Sequence, residues 1–205
     1  MRHLWIFHHV DTHPFRAAGV KGTDQYSRCC FAGHAQCFCG HNDYRGAVIH
    51  NKIILNYFDD EETLANSLQQ FLLEHPLQAA PVSLDFPLLS NQDVYMNIAL
   101  IKKYHENLPR DQAQKLVLQY LERLGIEHIA ERRNPVLTQE ERFYAMLLRA
   151  AMVQDALIVI DQPFKIIPHL PDIQFVMNAL KKIDDLYLSC HIYDYRWMKE
   201  KYGEL

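Results

Sequence analysis

Asp161 and Gln162 are the two side chains of this sequence with the clearest potential for chemistry. They end the run "ALIVIDQ" (156–162), whose apolar residues predict a buried strand. A carboxylate at the end of such a strand is suited to hold the magnesium ion of a nucleotide. The next residue would then be the base that activates water, and a carboxamide is a poor base. The pair indicates either a magnesium site whose base is disabled or, as we favour, a strand-end carboxylate bonded to nearby backbone.

A second group of reactive side chains lies near the N-terminus. It has the spacing CC-x₆-C-x-C with two nearby histidines, and its members are Cys29, Cys30, Cys37, Cys39, His34 and His41. These are weak candidates for a metal site, because most structural zinc sites use C-x₂₋₄-C pairs. Buried apolar thiols on a sheet are the interpretation that we favour. With Cys190 the cysteine count is odd, which argues against a disulfide framework.

Composition excludes several classes of protein. The chain has 205 residues, 49% of them hydrophobic and 22% charged, and its formal net charge is −4. Such a balance gives no basic field that would suggest a nucleic-acid partner. No apolar run reaches about 18 residues, so direct membrane insertion is not expected. The start of the chain has histidines where the apolar part of a signal peptide would continue, so we expect a cytoplasmic protein.

The order of predicted elements favours an α/β fold. Strand patterns dominate residues 1–58, and an amphipathic helix with an acidic first turn follows over 59–75. Later helices show clear ends, with Gly125 as a stop and Thr138 with Glu141 as a capping box. The chain closes with strand, helix, strand and helix, which implies parallel strands joined by a helical crossover.

Several segments, in this order and spacing, resemble the ABC-type (ATP-binding cassette) ATPases. They are "RGAVIHNKIIL" (45–55), "PLLSNQDVYMNIAL" (87–100), "VLQYLERLGIEHIAERRNPVLTQEERFYAMLLRAAMVQDALIVIDQPF" (117–164) and "YLSCHI" (187–192). The resemblance implies a P-loop NTPase-like ABC ATPase fold with a parallel core sheet and N-terminal antiparallel strands. It also implies a single domain over residues 1–205, with a helical subdomain at about 88–152.

The residues that correspond to the family's nucleotide site depart from its pattern. The phosphate-binding motif G-x-x-x-x-G-K-[ST] does not occur, although residues 32–45 are its expected place and the acidic run "FDDEET" (58–63) would repel phosphate. The resemblance puts the γ-phosphate-sensing glutamine at Leu84 and the two signature glycines at Gln139 and Glu140. It places Asp161 in the magnesium shell and Gln162 at the position of the base that activates water. It makes His191 a switch histidine at a strand end.

The resemblance therefore implies a non-catalytic, pseudo-ATPase subunit without a bound cofactor. We expect a structural or regulatory role in a transport complex, peripheral at the inner face of the membrane. An ABC permease, an ATPase subunit or a second copy of the chain would be its partner, and the helical subdomain would dock to the transporter's membrane subunit. Two alternatives stay open: a metal- or thiol-dependent binding protein that uses the N-terminal Cys/His group, and an enzyme of another kind that uses Asp161, His191 and Cys190.

Overall fold

The computed structural model describes residues 48–50 and 52–203, which belong to one compact unit spanning 43–205. The strands are β1 (Val48–His50), β2 (Ile53–Phe58), β3 (Ala79–Val82), β4 (Ala156–Asp161) and β5 (Tyr187–Tyr195). The helices are α1 (Glu61–Glu74), α2 (Val94–His105), α3 (Arg110–Leu124), α4 (Gln139–Ala151), α5 (Pro163–Ile166) and α6 (Gln174–Lys182). Three 3₁₀ segments complete the described chain: Glu127–Ile129, Asn134–Val136 and Arg196–Tyr202.

The strands form one sheet in the order β1-β2-β5-β4-β3. Strands β2, β5, β4 and β3 are parallel, and β1 pairs with β2 in the antiparallel direction. The predicted mixed α/β class with a parallel core is confirmed, and this architecture is consistent with a P-loop NTPase-like fold. The further N-terminal antiparallel strands and the single domain over 1–205 stay predictions, since residues 1–47 lie outside the described part.

The two faces of the sheet are covered unequally. Helix α1 packs on one face, where Leu64 meets Val159 and Tyr193. The other face supports the large core, to which α2, α3, α4, α5 and α6 all contribute buried residues. Adjacent residues of β4 divide between these clusters, because side chains alternate along a strand: Val159 faces α1, and Ile158 and Ile160 face the large core.

Local sequence signals account for the helix ends. Gly125 adopts the left-handed conformation that ends α3, with φ of 77°. Thr138 and Glu141 form the capping box at the start of α4, with bonds of 3.2 Å and 2.9 Å. Both predictions are confirmed.

Two stretches differ from the sequence prediction. From its two prolines, the sequence "QAAPVSLDFPLL" (78–89) is predicted to be an extended or loop segment, and the structure places β3 there; Pro81 is tolerated because β3 is an edge strand. The sequence "YDYRWMKEKYGEL" (193–205) predicts a final helix, and that prediction is wrong for the described residues, since β5 continues to Tyr195 and a 3₁₀ segment follows. Residues 193–195 pair with the last three residues of β2, and that pairing outweighs the helical periodicity.

Candidate functional site

The ends of the parallel strands define the candidate site, which we call the carboxyl edge. It comprises Phe58, Asp59, Asp60, Ser83, Asp161, Gln162 and Asp194. From β2 the chain turns to α1 on one face of the sheet. From β4 and β5 it continues to Phe164 and Tyr202 in the core of the other face. Neighbouring strands whose connections leave on opposite faces create the place where open α/β sheets bind ligands.

Asp161 is a buried carboxylate with its own hydrogen-bond partners. Its side chain is 8% exposed. The Ser83 hydroxyl donates to its Oδ2 at 3.0 Å, and Gln162 Nε2 donates to its Oδ1 at 3.3 Å. Burial raises the pKa of Asp161, and these two bonds only partly oppose that rise. Both partners are side chains, whereas the favoured interpretation has Asp161 bonded to nearby backbone. The magnesium site and the structural strand-end carboxylate both remain predictions.

Asp194 is a second buried carboxylate at this edge that the sequence did not point to. The Tyr202 hydroxyl donates to its Oδ2 at 2.6 Å, and the backbone N–H of Tyr195 donates to its Oδ1 at 2.8 Å. Burial raises the pKa of Asp194, and the nearby charge of Asp161 adds to the rise. The sequence did not indicate Asp194 because "YDY" (193–195) was predicted to begin a helix. Asp194 lies beside Asp161 only because β5 extends to Tyr195.

The loop between β2 and α1 brings further negative charge to the edge. Asp60 caps α1, and its Oδ1 accepts the N–H of Thr63 at 2.8 Å. This hydrogen bond holds the pKa of Asp60 below its usual range. Asp59 pairs with Arg196 at 2.7 Å, and Glu61 stands in the first turn of the helix. The helix end that would attract an anion is therefore occupied by a carboxylate of the chain itself.

Gln162 has an unusual backbone conformation. Its φ is 49°, in the left-handed region that a residue with a side chain adopts at a cost of about 1 kcal/mol. Its N–H donates to the carbonyl oxygen of Tyr193 at 2.8 Å, which fixes the turn from β4 into α5. Its carboxamide faces Asp161 and offers no proton-accepting nitrogen or carboxylate.

His191 does not lie at a strand end, so the expected placement is wrong. It stands in the middle of β5, level with Val159 and Ile54, whereas Asp161 pairs with Tyr193. Its Nε2 lies 3.1 Å from the Ser189 hydroxyl, and its ring packs 4.5 Å from that of Phe71 in α1. Burial lowers the pKa of His191 to about 4, so the imidazole is neutral at physiological pH. The strand "YLSCHI" was expected to end at residue 192, one residue after His191. Because β5 continues to Tyr195, the carboxyl edge lies beyond this histidine.

The other predicted positions are dispersed. Leu84 follows Ser83 and is 43% exposed. Gln139 and Glu140 begin α4, and both bind His169 from the loop after α5: Nδ1 lies 3.1 Å from Gln139 Oε1 and Nε2 lies 2.5 Å from Glu140 Oε1. Of the predicted set, the structure hydrogen-bonds only Asp161 and Gln162 to each other. The roles assigned to these residues stay predictions.

The metal and thiol candidates have separate outcomes. Cys29, Cys30, Cys37, Cys39, His34 and His41 lie outside the described residues. Within residues 48–50 and 52–203, no group of three or more histidine, cysteine or acidic side chains is arranged to hold a metal ion. Cys190 is fully buried, and burial raises the pKa of its thiol, which makes it unreactive. In the same part of the chain, no helix is both long and apolar enough to cross a bilayer.

Fold and edge together define a mixed α/β domain with a four-stranded parallel core, which is consistent with a P-loop NTPase-like fold. No family model matches the chain. A region of it is similar to the molybdate/tungstate import ATP-binding protein WtpC of Archaeoglobus fulgidus, with 34% identity over 79 residues. The match covers 38% of this chain and 32% of the relative, so the chain spans about a third of the protein it matches. This partial similarity supports an ABC ATPase-like domain.

Proposed function

We propose that the chain is a non-catalytic, ABC ATPase-like subunit that serves a membrane transport complex in a structural or regulatory role. The observation that carries the proposal is the capped N-terminus of α1. The Asp60 carboxylate accepts the N–H of Thr63, and so places a negative charge of the chain itself at the point where a helix follows a strand at the carboxyl edge. In phosphate-binding α/β proteins the N–H donors at that point receive the phosphate.

Charge at the edge supports the loss of nucleotide binding. Asp59, Asp60, Glu61 and Glu62 follow β2 directly, and no lysine occurs between Lys52 and Lys102. A phosphate-binding loop needs glycines for close backbone approach, a lysine for the β- and γ-phosphates and a hydroxyl for magnesium. A triphosphate at this edge would meet repulsion from at least four carboxylates, while Arg196 is already paired with Asp59. Because this loop joins a parallel strand to a helix at the carboxyl edge, we assign it as the topological equivalent of the phosphate loop; residues 32–45, the place expected from the sequence, lie outside the described part.

The residues after β4 support the loss of hydrolysis. A general base must accept a proton from water, and a positioned base contributes roughly 10²–10⁴-fold in rate. Gln162 cannot accept that proton, and its carboxamide is bonded to Asp161. The edge is therefore a structural remnant of a nucleotide site.

The transport role rests on the partial relative, which is itself an import ATP-binding protein. We propose that the chain binds a membrane subunit or an ATPase subunit of such a complex, at the inner face of the membrane. A chain without a working nucleotide site would contribute binding surface or regulation instead of turnover.

Calorimetric titration of the full chain with Mg·ATP tests the proposal. We expect no saturable heat up to about 1 mM nucleotide, a range that detects binding free energies near −4 kcal/mol. A dissociation constant in the micromolar range would overturn the non-catalytic assignment. The transport role is tested separately by affinity purification of the tagged chain from its native membranes: recovery only with soluble proteins, and never with a membrane subunit, would contradict that part.

A further inference from the structure

A pocket of about 360 Å³ lies at the amino ends of the parallel strands, on the edge of the sheet opposite the carboxyl edge. We call it the amino-edge pocket. Most of its residues lie at or directly before the starts of β2, β4 and β5, and α2 and α3 each contribute one residue to its walls. A cavity of this volume suits a small molecule. It shares no residue with the carboxyl edge, so a ligand here would bind independently of any nucleotide.

The strand order sets two charged residues on opposite sides of this pocket. β5 lies between β2 and β4 in the sheet. Lys52 directly precedes β2 and Asp155 directly precedes β4, so their backbones flank the first residues of β5 from the two sides. Neighbouring strands are about 4.8 Å apart, which separates the two backbones by roughly 10 Å. The pocket can therefore offer an ammonium and a carboxylate to one small molecule.

The ammonium of Lys52 is fixed by backbone groups and has no carboxylate partner among the described residues. Its Nζ donates to the carbonyl oxygen of Asp184 at 2.8 Å and to that of Tyr187 at 3.4 Å. It also lies 5.7 Å from the centre of the Tyr187 ring. An ammonium has three N–H donors, so one remains for another acceptor. A cation held in this way is suited to receive a carboxylate.

The carboxylate of Asp155 is the complementary group. It is exposed, and it has no hydrogen-bond or ion-pair partner within residues 48–50 and 52–203. The backbone of Asp155 has a φ of 51°, in the left-handed region that aspartate enters more readily than most residues. This conformation makes the turn from α4 into β4 and leaves the carboxylate at the pocket.

The other charged side chains of the pocket already have ionic partners. Lys102 Nζ lies 2.5 Å from Glu106 Oε1, and Asp185 Oδ1 lies 2.7 Å from Arg123 Nη1. In the described part of the chain, Lys52 and Asp155 are therefore the two charges of this pocket without an ionic partner, and their signs are opposite. A ligand that carries both charges satisfies both groups, whereas a simple anion or cation satisfies one.

Apolar side chains and a hydroxyl surround these charges. Met152, Val153 and Leu186 line the pocket, and Met152 is 1% exposed. The hydroxyl of Tyr120 has no hydrogen-bond partner among the described residues, so it can donate to a ligand carboxylate. The pocket thus combines two opposite charges with an apolar wall.

We propose that the amino-edge pocket binds a small zwitterion of the α-amino acid class with an apolar side chain. The ligand carboxylate pairs with Lys52, its ammonium pairs with Asp155, and its side chain packs on Met152 and Val153. This inference does not rest on the proposed function, and failure of either one leaves the other open to its own test.

A series of matched ligands provides the probe. L-Leucine carries both charges, 4-methylpentanoate lacks the ammonium, and 3-methylbutan-1-amine lacks the carboxylate. Calorimetric titration of the full chain measures the three dissociation constants. We expect leucine to bind at least about tenfold more tightly than either of the others, as for loss of one charge-assisted hydrogen-bonded contact. L-Asparagine, which has the same charges and a polar side chain, is expected to bind more weakly than leucine.

Two variants locate the charges. Asp155→Asn is expected to weaken leucine binding about tenfold and to leave 4-methylpentanoate unaffected. Lys52→Met is expected to weaken leucine binding to a similar extent and to leave 3-methylbutan-1-amine unaffected. Asp111→Asn and Lys115→Met, at exposed positions of α3 outside the pocket, are the matched controls and should retain the parent affinity.

If Lys52→Met does not fold, the amide ¹H–¹⁵N cross-peaks of the unmodified chain replace it. We expect leucine to shift those of Asp155 and Leu186 and to leave that of Asp161 in place. Leucine binding no tighter than that of the singly charged ligands or of asparagine, or an affinity unchanged by Asp155→Asn, would overturn the proposal. Absence of saturable heat up to about 1 mM leucine would do the same.

Discussion

The carboxyl edge and a second region, an apolar groove between β3, α2 and α4 that Arg149 lines, are built from neighbouring segments of the chain, yet they differ in how buried charges are paired. At the edge, two buried carboxylates, Asp161 and Asp194, each have hydroxyl and amide donors from within the domain. In the groove, Arg149 finds only backbone carbonyl oxygens. The edge thus pairs its carboxylates with donors inside the domain, whereas Arg149 has no carboxylate partner among the described residues.

Asn97 gives the largest expected effect, since it is the buried side chain that shapes the groove. Asn97→Ala leaves backbone groups of Leu89 without their partners, and we expect a loss of about 3 kcal/mol in the free energy of unfolding. Urea denaturation measures it. The control is Asn178→Ala, at an exposed position of α6, for which a change near zero is expected. A comparable loss in both variants would show that the buried bonds of Asn97 do not matter.

Asp161→Asn sharpens the comparison at the carboxyl edge. The folded-state pKa of Asp161 is raised, so the carboxylate form is penalised by folding. Its contribution to stability is thus most favourable at low pH and is lost as pH rises through the folded pKa. At pH 7.5 we expect the asparagine variant to be more stable by about 1 kcal/mol, because Ser83 can still donate to the amide oxygen and Gln162 can rotate.

The pH dependence provides the check. Urea denaturation of both proteins should show a gain that shrinks between pH 7.5 and pH 4.5. A variant that is less stable than the parent at pH 7.5 would mean that the charge of Asp161 is needed, as in a metal site.

Gln162→Glu tests the edge from the catalytic side. It places a second carboxylate against Asp161, and we expect a loss of about 1 kcal/mol at pH 7.5 from like-charge repulsion. We also expect no phosphate release from ATP, since the capped helix end is unchanged. Gln162→Met, which removes the hydrogen bond without adding charge, separates repulsion from loss of the bond. Measurable turnover by the glutamate variant would contradict the proposed function.

His169 provides the smallest effect, at a surface tie between α4 and the loop after α5. His169→Ala removes the contact with Glu140, an exposed pair worth at most about 1 kcal/mol. The pKa of Glu140 is held low, first by backbone hydrogen bonding at the helix start and also by His169, so the carboxylate supplies its stability above its unfolded pKa. That contribution is lost as pH falls through the folded pKa of Glu140.

Thermal unfolding at pH 7 measures this contact, and we expect His169→Ala to lower the melting temperature by no more than about 4 °C. His128→Ala, which removes the neighbouring contact with Glu141, is the matched comparison and should show a change of similar size. A loss of more than about 2 kcal/mol in His169→Ala alone would show that this tie is more than an exposed surface contact.

Much of the fold could be predicted from local signals, and the candidate site could be predicted only in part. The capping box at Thr138, the stop at Gly125 and the strand ending in Asp161 were all evident in the sequence. The edge strand with Pro81 was missed because proline usually argues against a strand. The position of His191 was wrong because the length of β5 depends on its pairing with β2, which leaves no local pattern.

By itself, the sequence determined which groups could act: it has no G-x-x-x-x-G-K-[ST] motif, it follows β2 with four acidic residues, and it carries a glutamine after Asp161. These are properties of residue type and local spacing. Only the tertiary structure decided that β2 lies beside β5, that Asp194 joins Asp161 at one edge, and that Arg149 lines a groove without a carboxylate partner among the described residues. Parallel strands pair across long stretches of chain, and such distant contacts depend on packing that short-range periodicity does not encode.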